Sequence, residues 1–369
     1  MRAMNATFGS RLVTGFVCVL SAFVIGATGE HVTLAANACN EPTGSLSLTL
    51  LANSDTFVSI PFTTAPLFCG TVQSVSGNAV TVQGAPAWAT GQWSQMTGNG
   101  YFPNYVVLTS GTKEGATFSI TNNSSDTLVL VAGCDDLSGV NAGDQLAVLP
   151  YWTLGTTFPG GSGITPSTSP LAAARKTQVL LPLSCPTCSG IPSAGADTYF
   201  FYNSHWRKVG APAATSFDDV VILPDQFFIV RQSNNSPTTI LTTGGNIVQY
   251  STRTCLNANS TTTNWDNYVA NYHSTTQTLD QASLAAAFTA SNPGAANPAI
   301  NDLLLVYDNT AMKMNKAPAH VYFYDIDHWA DLNNPPYTIN RGADPVFVPG
   351  TGVTVRKRPG STQVWVISP

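Results

Sequence analysis

Charged side chains are scarce in this chain. Its 15 Lys and Arg and 20 Asp and Glu make up 9% of 369 residues, whereas an ordinary soluble domain has about 25%. The net charge is -5, and no basic run is longer than Arg356-Lys357-Arg358, which excludes a basic nucleic-acid-binding protein. Beyond the N-terminus there is no long apolar run, which excludes a helical membrane protein. The 7 Trp, 12 Tyr and 17 Phe suffice for a core, so we expect a globular chain without long disorder.

Residues 1–38 have the pattern of a secretory signal peptide. Arg2 and Arg11 supply positive charge, residues 12–27 are apolar, and Ala36-Asn37-Ala38 forms a cleavage motif directly before Cys39. Two alternatives stay open, an N-terminal membrane anchor and a lipoprotein that carries its lipid on Cys39. We therefore expect an exported protein of the cell surface, the extracellular space or the periplasm.

The cysteines fit an oxidising compartment. Cys18 lies within the signal, and its removal leaves an even number of cysteines, which favours disulfides in an exported chain. We predict three pairs: Cys69–Cys134, Cys185–Cys188 and Cys39–Cys255. The alternative is a metal site on Cys185 and Cys188, but a second pair of ligands at metal-binding spacing is missing.

Short segments rich in β-branched residues, bounded by Gly, Asn, Ser or Pro, follow one another along nearly the whole chain. Examples are residues 45–50, 79–82, 127–131 and 353–355. This pattern predicts an all-β fold made of sandwich or barrel-like modules. Residues 281–288 are the exception, since Asp280 followed by an Ala-rich stretch predicts a short helix.

The chain contains an internal repeat. An aromatic strand leads to His205-Trp206 and again to His328-Trp329, and a second strand ends at Arg231 and again at Arg356. Further segments align between the two copies: 179–182 with 303–306, and 55–62 with 266–273. We interpret the repeat as a duplicated β module.

The first copy is longer than the second, and the surplus corresponds to residues 69–149. Its series of short strands predicts a small β-barrel inserted into the first module. We expect a signal peptide at 1–38, a first β module at 39–250 with the barrel at about 69–149, and a second β module at 251–369.

Three motifs carry a family resemblance: Tyr-Phe-Phe-Tyr-Asn-Ser-His-Trp-Arg-Lys-Val-Gly at 199–210, Phe-Phe-Ile-Val-Arg at 227–231 and Thr-Gly-Val-Thr-Val-Arg-Lys at 351–357. The chain resembles an uncharacterised family of exported, paralogous, β-rich proteins of verrucomicrobial bacteria, and the resemblance covers the mature chain. It implies no assigned activity. The second copy departs from the pattern, because Trp329-Ala-Asp stands where the first has Trp206-Arg-Lys.

Signatures of nucleophilic or zinc-dependent catalysis are missing, namely G-x-S-x-G, S-x-x-K with K-T-G, and H-E-x-x-H. We therefore expect no enzyme and no cofactor. The acidic pairs Asp135-Asp136 and Asp218-Asp219 resemble glycosidase carboxylates, but neighbouring strand residues point to opposite faces. We expect these pairs to cap turns.

Two weaker candidate sites remain. Asp325, Asp327 and His328 place ligand-type side chains at alternate positions of a predicted strand, which would suit a Ca²⁺ or Zn²⁺ site. The repeated His205 and His328 argue for a structural role instead. In the predicted barrel, three aromatic residues are candidates for stacking on sugar rings or for the core: Trp88, Trp93 and Tyr101.

The sequence favours an exported, non-enzymatic structural or surface-interaction protein of the cell envelope or extracellular matrix. A low-charge surface meets little self-repulsion, which suits self-association, other surface proteins or a neutral polysaccharide as partners. The alternatives are a carbohydrate-binding module protein and an outer-membrane β-barrel. Trp206 and Trp329, matched across the repeat, are expected to be core anchors.

Overall fold

The computed structural model describes residues 41–182, 197–233, 235–259, 264–290 and 302–369. Strands predominate in these ranges and helix is confined to short turns, so the predicted all-β fold is confirmed. The predicted signal at 1–38, together with Cys39, Cys185 and Cys188, lies outside the described residues. Within the described ranges, no helix is long and apolar enough to cross a membrane.

The strands form four groups along the chain. The first contains β1 (Thr43–Leu50), β2 (Ser54–Val58) and β3 (Phe62–Thr63). The second contains β4 (Phe68–Ser76), β5 (Ala79–Val82), β6 (Asn104–Leu108), β7 (Thr117–Asn123), β8 (Thr127–Leu130) and β9 (Gln145–Pro150). The third contains β10 (Trp152–Thr153), β11 (Thr177–Leu181), β12 (Asp197–Tyr202), β13 (His205–Lys208), β14 (Val221–Ile222), β15 (Phe228–Gln232) and β16 (Thr239–Ile247). The fourth contains β17 (Thr252–Leu256), β18 (Trp265–Ala270), β19 (Leu303–Val306), β20 (His320–Asp325), β21 (His328–Asp331), β22 (Gly352–Lys357) and β23 (Gln363–Ile367).

Two five-stranded antiparallel sheets have the same strand order. The first runs β2-β15-β11-β12-β13, and the second runs β18-β22-β19-β20-β21. Their registers correspond as well, because Arg231 lies opposite Asp55 in the first sheet and Arg356 lies opposite Asp266 in the second. The repeat in the sequence is thus a repeat of sheet topology.

The register corrects one detail of the repeat alignment. Val179 pairs with Tyr199, whereas Leu304 pairs with Tyr322, so Val179 corresponds to Leu304. The expected match of Val179 with Leu303 is wrong by one residue. Such a shift would turn an apolar side chain to the other face of the sheet, and the structure instead keeps both Val179 and Leu304 fully buried.

Each five-stranded sheet packs against a smaller sheet, which makes two β-sandwich cores. The smaller sheets are β1-β16-β3 in the first module and β17-β23 in the second. Trp206 lies in the first core and Trp329 in the second. Both side chains are fully buried, which confirms their prediction as core anchors.

A closed barrel separates β3 from β10. Its strands follow the order β4-β5-β8-β7-β6-β9 around the barrel, and its core contains apolar side chains such as Val80, Val106 and Leu128. Closure pairs every strand on both sides and leaves no sheet edge.

The predicted helix at 281–288 is reduced to a 3-10 turn, Leu284–Ala287. Ser283 adopts a left-handed conformation with φ 54°, which ends any regular helix before this turn. The Ala282 carbonyl accepts a hydrogen bond from the Trp365 indole at 2.7 Å. Packing of this segment on β23 therefore overrides its helix propensity.

The two modules make reciprocal contacts. The Ser59 amide donates to the Gly350 carbonyl at 3.0 Å, and the Ala270 amide donates to the Asp225 carbonyl at 3.0 Å. By the sheet registers, Ser59 corresponds to Ala270 and Gly350 corresponds to Asp225. Matching patches that contact each other in both directions are the signature of two-fold symmetry, so the modules are related by an approximate two-fold axis.

Candidate functional site

A cleft of about 200 Å³ lies where the barrel meets the first module. Tyr101, from the barrel segment between β5 and β6, lines it together with Tyr199 and Phe227. Its polar lining includes Asp197 and Gln226, and the other lining residues are mostly aliphatic: Leu181, Pro182, Val220, Val221, Ile222, Leu223 and Phe228. Apolar walls with a few polar groups are typical of small-molecule sites.

A charged hydrogen-bond network stands at the rim of this cleft. Lys208 Nζ donates to Asp197 Oδ2 at 2.8 Å, and the Tyr199 hydroxyl donates to the same oxygen at 3.2 Å. Burial raises the pKa of Tyr199, so its hydroxyl stays protonated and acts as a donor. The network fixes the carboxylate of Asp197 as an acceptor beside the aromatic walls.

The second module places an acidic side chain at the Lys208 position and a histidine at the Asp197 position. Tyr199 lies opposite Lys208, and Tyr322 lies opposite Asp331, so Lys208 corresponds to Asp331. His320 Nδ1 lies 2.8 Å from Asp331 Oδ2 and takes the place of Asp197. The carboxylate at the Asp197 position is therefore found in the first module, where Tyr101 of the barrel also lines the cleft.

The barrel aromatics divide between core and cleft. Trp88 and Trp93 are each 8% exposed and pack edge to face, with ring centroids 5.9 Å apart. Of the two interpretations left open for these rings, the core position is confirmed and stacking on sugars is wrong, because both rings lie in the barrel core. Tyr101 is half-buried and lines the cleft.

Asp218 and Asp219 hold the first module together and join it to the barrel. Asp218 accepts from the Trp206 amide at 2.7 Å, and Asp219 accepts from the Asn99 side chain. The Ser216 hydroxyl donates to Asp218 at 2.8 Å, while His205 Nδ1 lies 2.6 Å from the same carboxylate. A nucleophilic triad needs Ser and Asp at opposite ring nitrogens, whereas Ser216 and Asp218 both lie on the Nδ1 side.

The candidate metal ligands do not share a strand face. Asp325 ends β20 and His328 begins β21, so Asp327 lies in the hairpin turn, where Ile326 has φ 49°. His328 contacts Asp327 through Nδ1 at 2.8 Å and the Tyr337 carbonyl through Nε2 at 2.9 Å. The predicted alternation is wrong because the strand turns there, and within the described ranges no group of three ligating side chains could hold a metal ion.

The disulfide prediction also needs correction. Cys134 is bonded to Cys255, with Cα atoms 6.1 Å apart, so the predicted pairs Cys69–Cys134 and Cys39–Cys255 are both wrong. Cys69 is disulfide-bonded too. The reason is tertiary: the barrel loop at Cys134 packs on β17 of the second module, a contact that sequence spacing does not reveal.

The same loop carries an ionic link. Asp135 accepts from Arg253 of β17 at 2.6 Å and from Lys113 of the barrel. Asp136 caps the following turn by accepting from the Ser138 amide at 3.0 Å. The predicted turn-capping role therefore holds for Asp136, whereas Asp135 joins the barrel to the second module.

Asp197, Tyr199 and Gln226 were not predicted as site residues, although Tyr199 begins the motif at 199–210. One signal in the repeat could have indicated the rim pair, since the Asp197 and Lys208 positions carry His320 and Asp331 in the second copy. Such reciprocal exchange indicates contact between two positions. No comparable signal marks Gln226, which lies in the turn between β14 and β15, where its amide donates to the Leu223 carbonyl.

Within the described residues, the fold is all-β with a Cys134–Cys255 disulfide, and the cleft beside Tyr101 is a candidate binding site. Comparison with protein-family models, with curated proteins and with solved structures finds no match to the chain. The resemblance to exported verrucomicrobial proteins stays a prediction.

Proposed function

We propose that this chain is an exported, non-enzymatic structural or surface-interaction protein of the cell envelope or extracellular matrix. The observation that carries the proposal is the Cys134–Cys255 disulfide, because disulfides persist in oxidising compartments outside the cytosol. It joins the barrel to the second module, next to the Asp135–Arg253 ion pair. This cross-link, together with the reciprocal contacts between the modules, supports a rigid element suited to holding surfaces together.

Cell fractionation and imaging of a C-terminally tagged full chain test this proposal. We expect the tag outside the cytoplasm, and peptide mapping without reductant should recover Cys134 linked to Cys255. Deletion of residues 2–38 is the matched control and should retain the protein in the cytoplasm. A full-length chain that stays in the cytoplasm with a free Cys134 thiol would overturn the proposal.

A second candidate function is binding of a neutral saccharide in the cleft. The observation that favours it is the half-buried Tyr101 ring beside the fixed carboxylate of Asp197 and the amide of Gln226. An aromatic face packs on the apolar face of a sugar ring, while carboxylate and amide groups bind its hydroxyls. The cleft volume of about 200 Å³ suits one or two sugar units better than a long chain.

A glycan array probed with the purified exported protein tests the cleft. We expect binding to be lost in Tyr101→Ala and weakened in Asp197→Asn. Tyr202→Ala is the matched control, because Tyr202 lies on the same strand as Tyr199 and does not line the cleft. Binding that survives Tyr101→Ala, or none at all in the unmodified protein, would remove this candidate.

A further inference from the structure

Strand β1 lies at the edge of the β1-β16-β3 sheet and is hydrogen-bonded to β16 alone. It is eight residues long, Thr43–Leu50, and contains neither charge nor proline. In the part of the chain that the structure describes, no strand or loop pairs with its outer side. A long, regular, uncharged edge is a ready template for another strand.

The edge strands of the two five-stranded sheets are covered or kept short. Asn309 covers β2 by accepting from the Phe57 amide and donating to the Phe57 carbonyl, both at 2.9 Å. The Asp225 carbonyl covers the end of β18. The outer strands β13 and β21 have four residues each and carry charged side chains. Among the described residues, strand β1 has neither a covering segment nor a charged side chain, and it is twice as long as β13 and β21.

The orientation of the β1 backbone follows from one hydrogen bond. The Ile247 amide donates to the Pro42 carbonyl at 2.7 Å, in register with the β1-β16 pairing. Residues of one parity point their backbone groups to the same side of a strand. Even-numbered residues of β1 therefore bond to β16, and four odd-numbered residues direct their N–H and C=O outward: Thr43, Ser45, Ser47 and Thr49.

The two faces of β1 restrict how a second strand can pair. The side chains of the four outward-bonding residues are exposed, whereas Leu46 and Leu48 are half-buried against the first core. Residues directly opposite in an antiparallel pair share a face. A two-fold axis that passes between two successive residues would place serines of one copy opposite leucines of the other, on different faces, so the axis must pass through a residue. With the axis on Leu46, Ser45 of one copy lies opposite Ser47 of the other, and Thr43 lies opposite Thr49. Every outward N–H and C=O of β1 is then hydrogen-bonded to the second copy.

The absence of charge also favours a copy of the same strand. A two-fold pair brings a charged residue beside the axis close to its own symmetry mate, and like charges in neighbouring cross-strand positions are destabilising. Strand β1 has no charge to repel. Its hydroxyl groups can bond across strands, as Ser47 already does with Thr242 at 3.1 Å.

We propose that β1 pairs antiparallel with β1 of a second copy of this chain, with Leu46 on the two-fold axis, so that two three-stranded sheets become one continuous six-stranded sheet. This inference deepens the proposed function by naming the surface and the partner of a structural protein. An exported monomer would overturn the pairing alone, and a dimer retained in the cytoplasm would overturn the export alone.

Sedimentation equilibrium of the purified exported protein tests the pairing. We expect a monomer–dimer equilibrium whose Kd rises by about tenfold or more in Ser45→Pro. The Ser45 amide points outward, so proline removes no bond to β16. Ser47→Lys should weaken the dimer similarly, whereas Thr242→Lys is its matched control, because Thr242 lies opposite Ser47 on the central strand and is exposed.

Amide hydrogen exchange of the unmodified protein gives a second readout. The amides of Ser45 and Ser47 should exchange slowly in concentrated solution and rapidly in dilute solution, while the Leu46 amide stays protected in both. A monomer at all concentrations, a dimer that Ser45→Pro leaves intact, or amide protection that does not depend on concentration would each overturn the proposal.

Discussion

The ring of Phe227 lies directly against Gly352, the residue that corresponds to it in the second module. An added Cβ on Gly352 would overlap the Cβ and ring of Phe227. The Phe227 ring is 5.5 Å from Phe57 and 5.4 Å from Tyr268, which are themselves equivalent positions. One aromatic ring therefore sits close to the approximate two-fold axis, and glycine on the other side leaves room for it.

Gly352→Ala should destabilise the protein by about 1–3 kcal/mol, since the new methyl group overpacks a site without free space. Chemical denaturation measures the change in the free energy of unfolding. Gly360→Ala is the matched control in the same module, because the nearest atom to its added Cβ is 4.0 Å away. Equal stability of the two variants would contradict the tight fit at the axis.

Replacing both Cys134 and Cys255 with serine should lower the free energy of unfolding by about 2–5 kcal/mol. The bond closes a long loop, with 121 residues of separation, so its loss releases conformational entropy in the unfolded chain. Denaturation without reductant compares the double variant with the unmodified protein. An unchanged midpoint would mean that noncovalent contacts alone hold the barrel loop on β17.

The buried pair Asp302–Lys357 has a neutral counterpart in the first module. The Lys357 ammonium donates to the fully buried Asp302 carboxylate, while the Thr177 hydroxyl donates to Gln232 at 2.6 Å in the equivalent position. Lys357→Gln alone should cost about 3–5 kcal/mol, because it leaves a buried carboxylate without its cation.

The double variant Asp302→Thr/Lys357→Gln copies the first module and should recover most of that loss. Replacing both members of a buried ion pair is often neutral, unlike removal of one member. Denaturation of the two single variants and the double variant measures the coupling. Additive losses would show that the surrounding packing, and not the match between the partners, sets the stability.

Asp225 should make the protein less stable as the pH rises towards neutral. Burial raises the pKa of Asp225 from 3.8 to about 6, so the folded state holds this proton more tightly than the unfolded state does. Its contribution is fully present below pH 3.8 and is lost as the pH rises to about 6. The loss is about 1–3 kcal/mol, at the lower end because the side chain keeps some exposed surface.

Thermal unfolding from pH 4 to pH 7 measures this contribution, which Asp225→Asn should abolish. Asp308 is a control of opposite sign, because hydrogen bonds from Thr310 lower the pKa of Asp308. Asp308→Asn should therefore affect the acid side of the profile. A pH profile that Asp225→Asn leaves unchanged would contradict a raised pKa.

One residue of the candidate site could be predicted from the sequence. Tyr101 was singled out as an aromatic candidate and lines the cleft, whereas Trp88 and Trp93 had the same signal and lie in the barrel core. The difference is positional: the Trp rings close the barrel interior, while Tyr101 extends to the first module. Aromatic composition does not specify whether a ring lies inside the barrel or on its outer surface.

The sequence by itself determined the all-β class, the repeat and the position of the inserted barrel, because strand alternation, turn residues and repeated motifs are local patterns. The repeated motifs end at Arg231 and Arg356, and the structure places these residues opposite Asp55 and Asp266 in matching registers. Tertiary structure alone decided the Cys134–Cys255 bond, the approximate two-fold axis at Phe227 and the exposed edge of β1. Each of these depends on which distant segments approach in space, and that follows from the packing of the two modules and the barrel against one another.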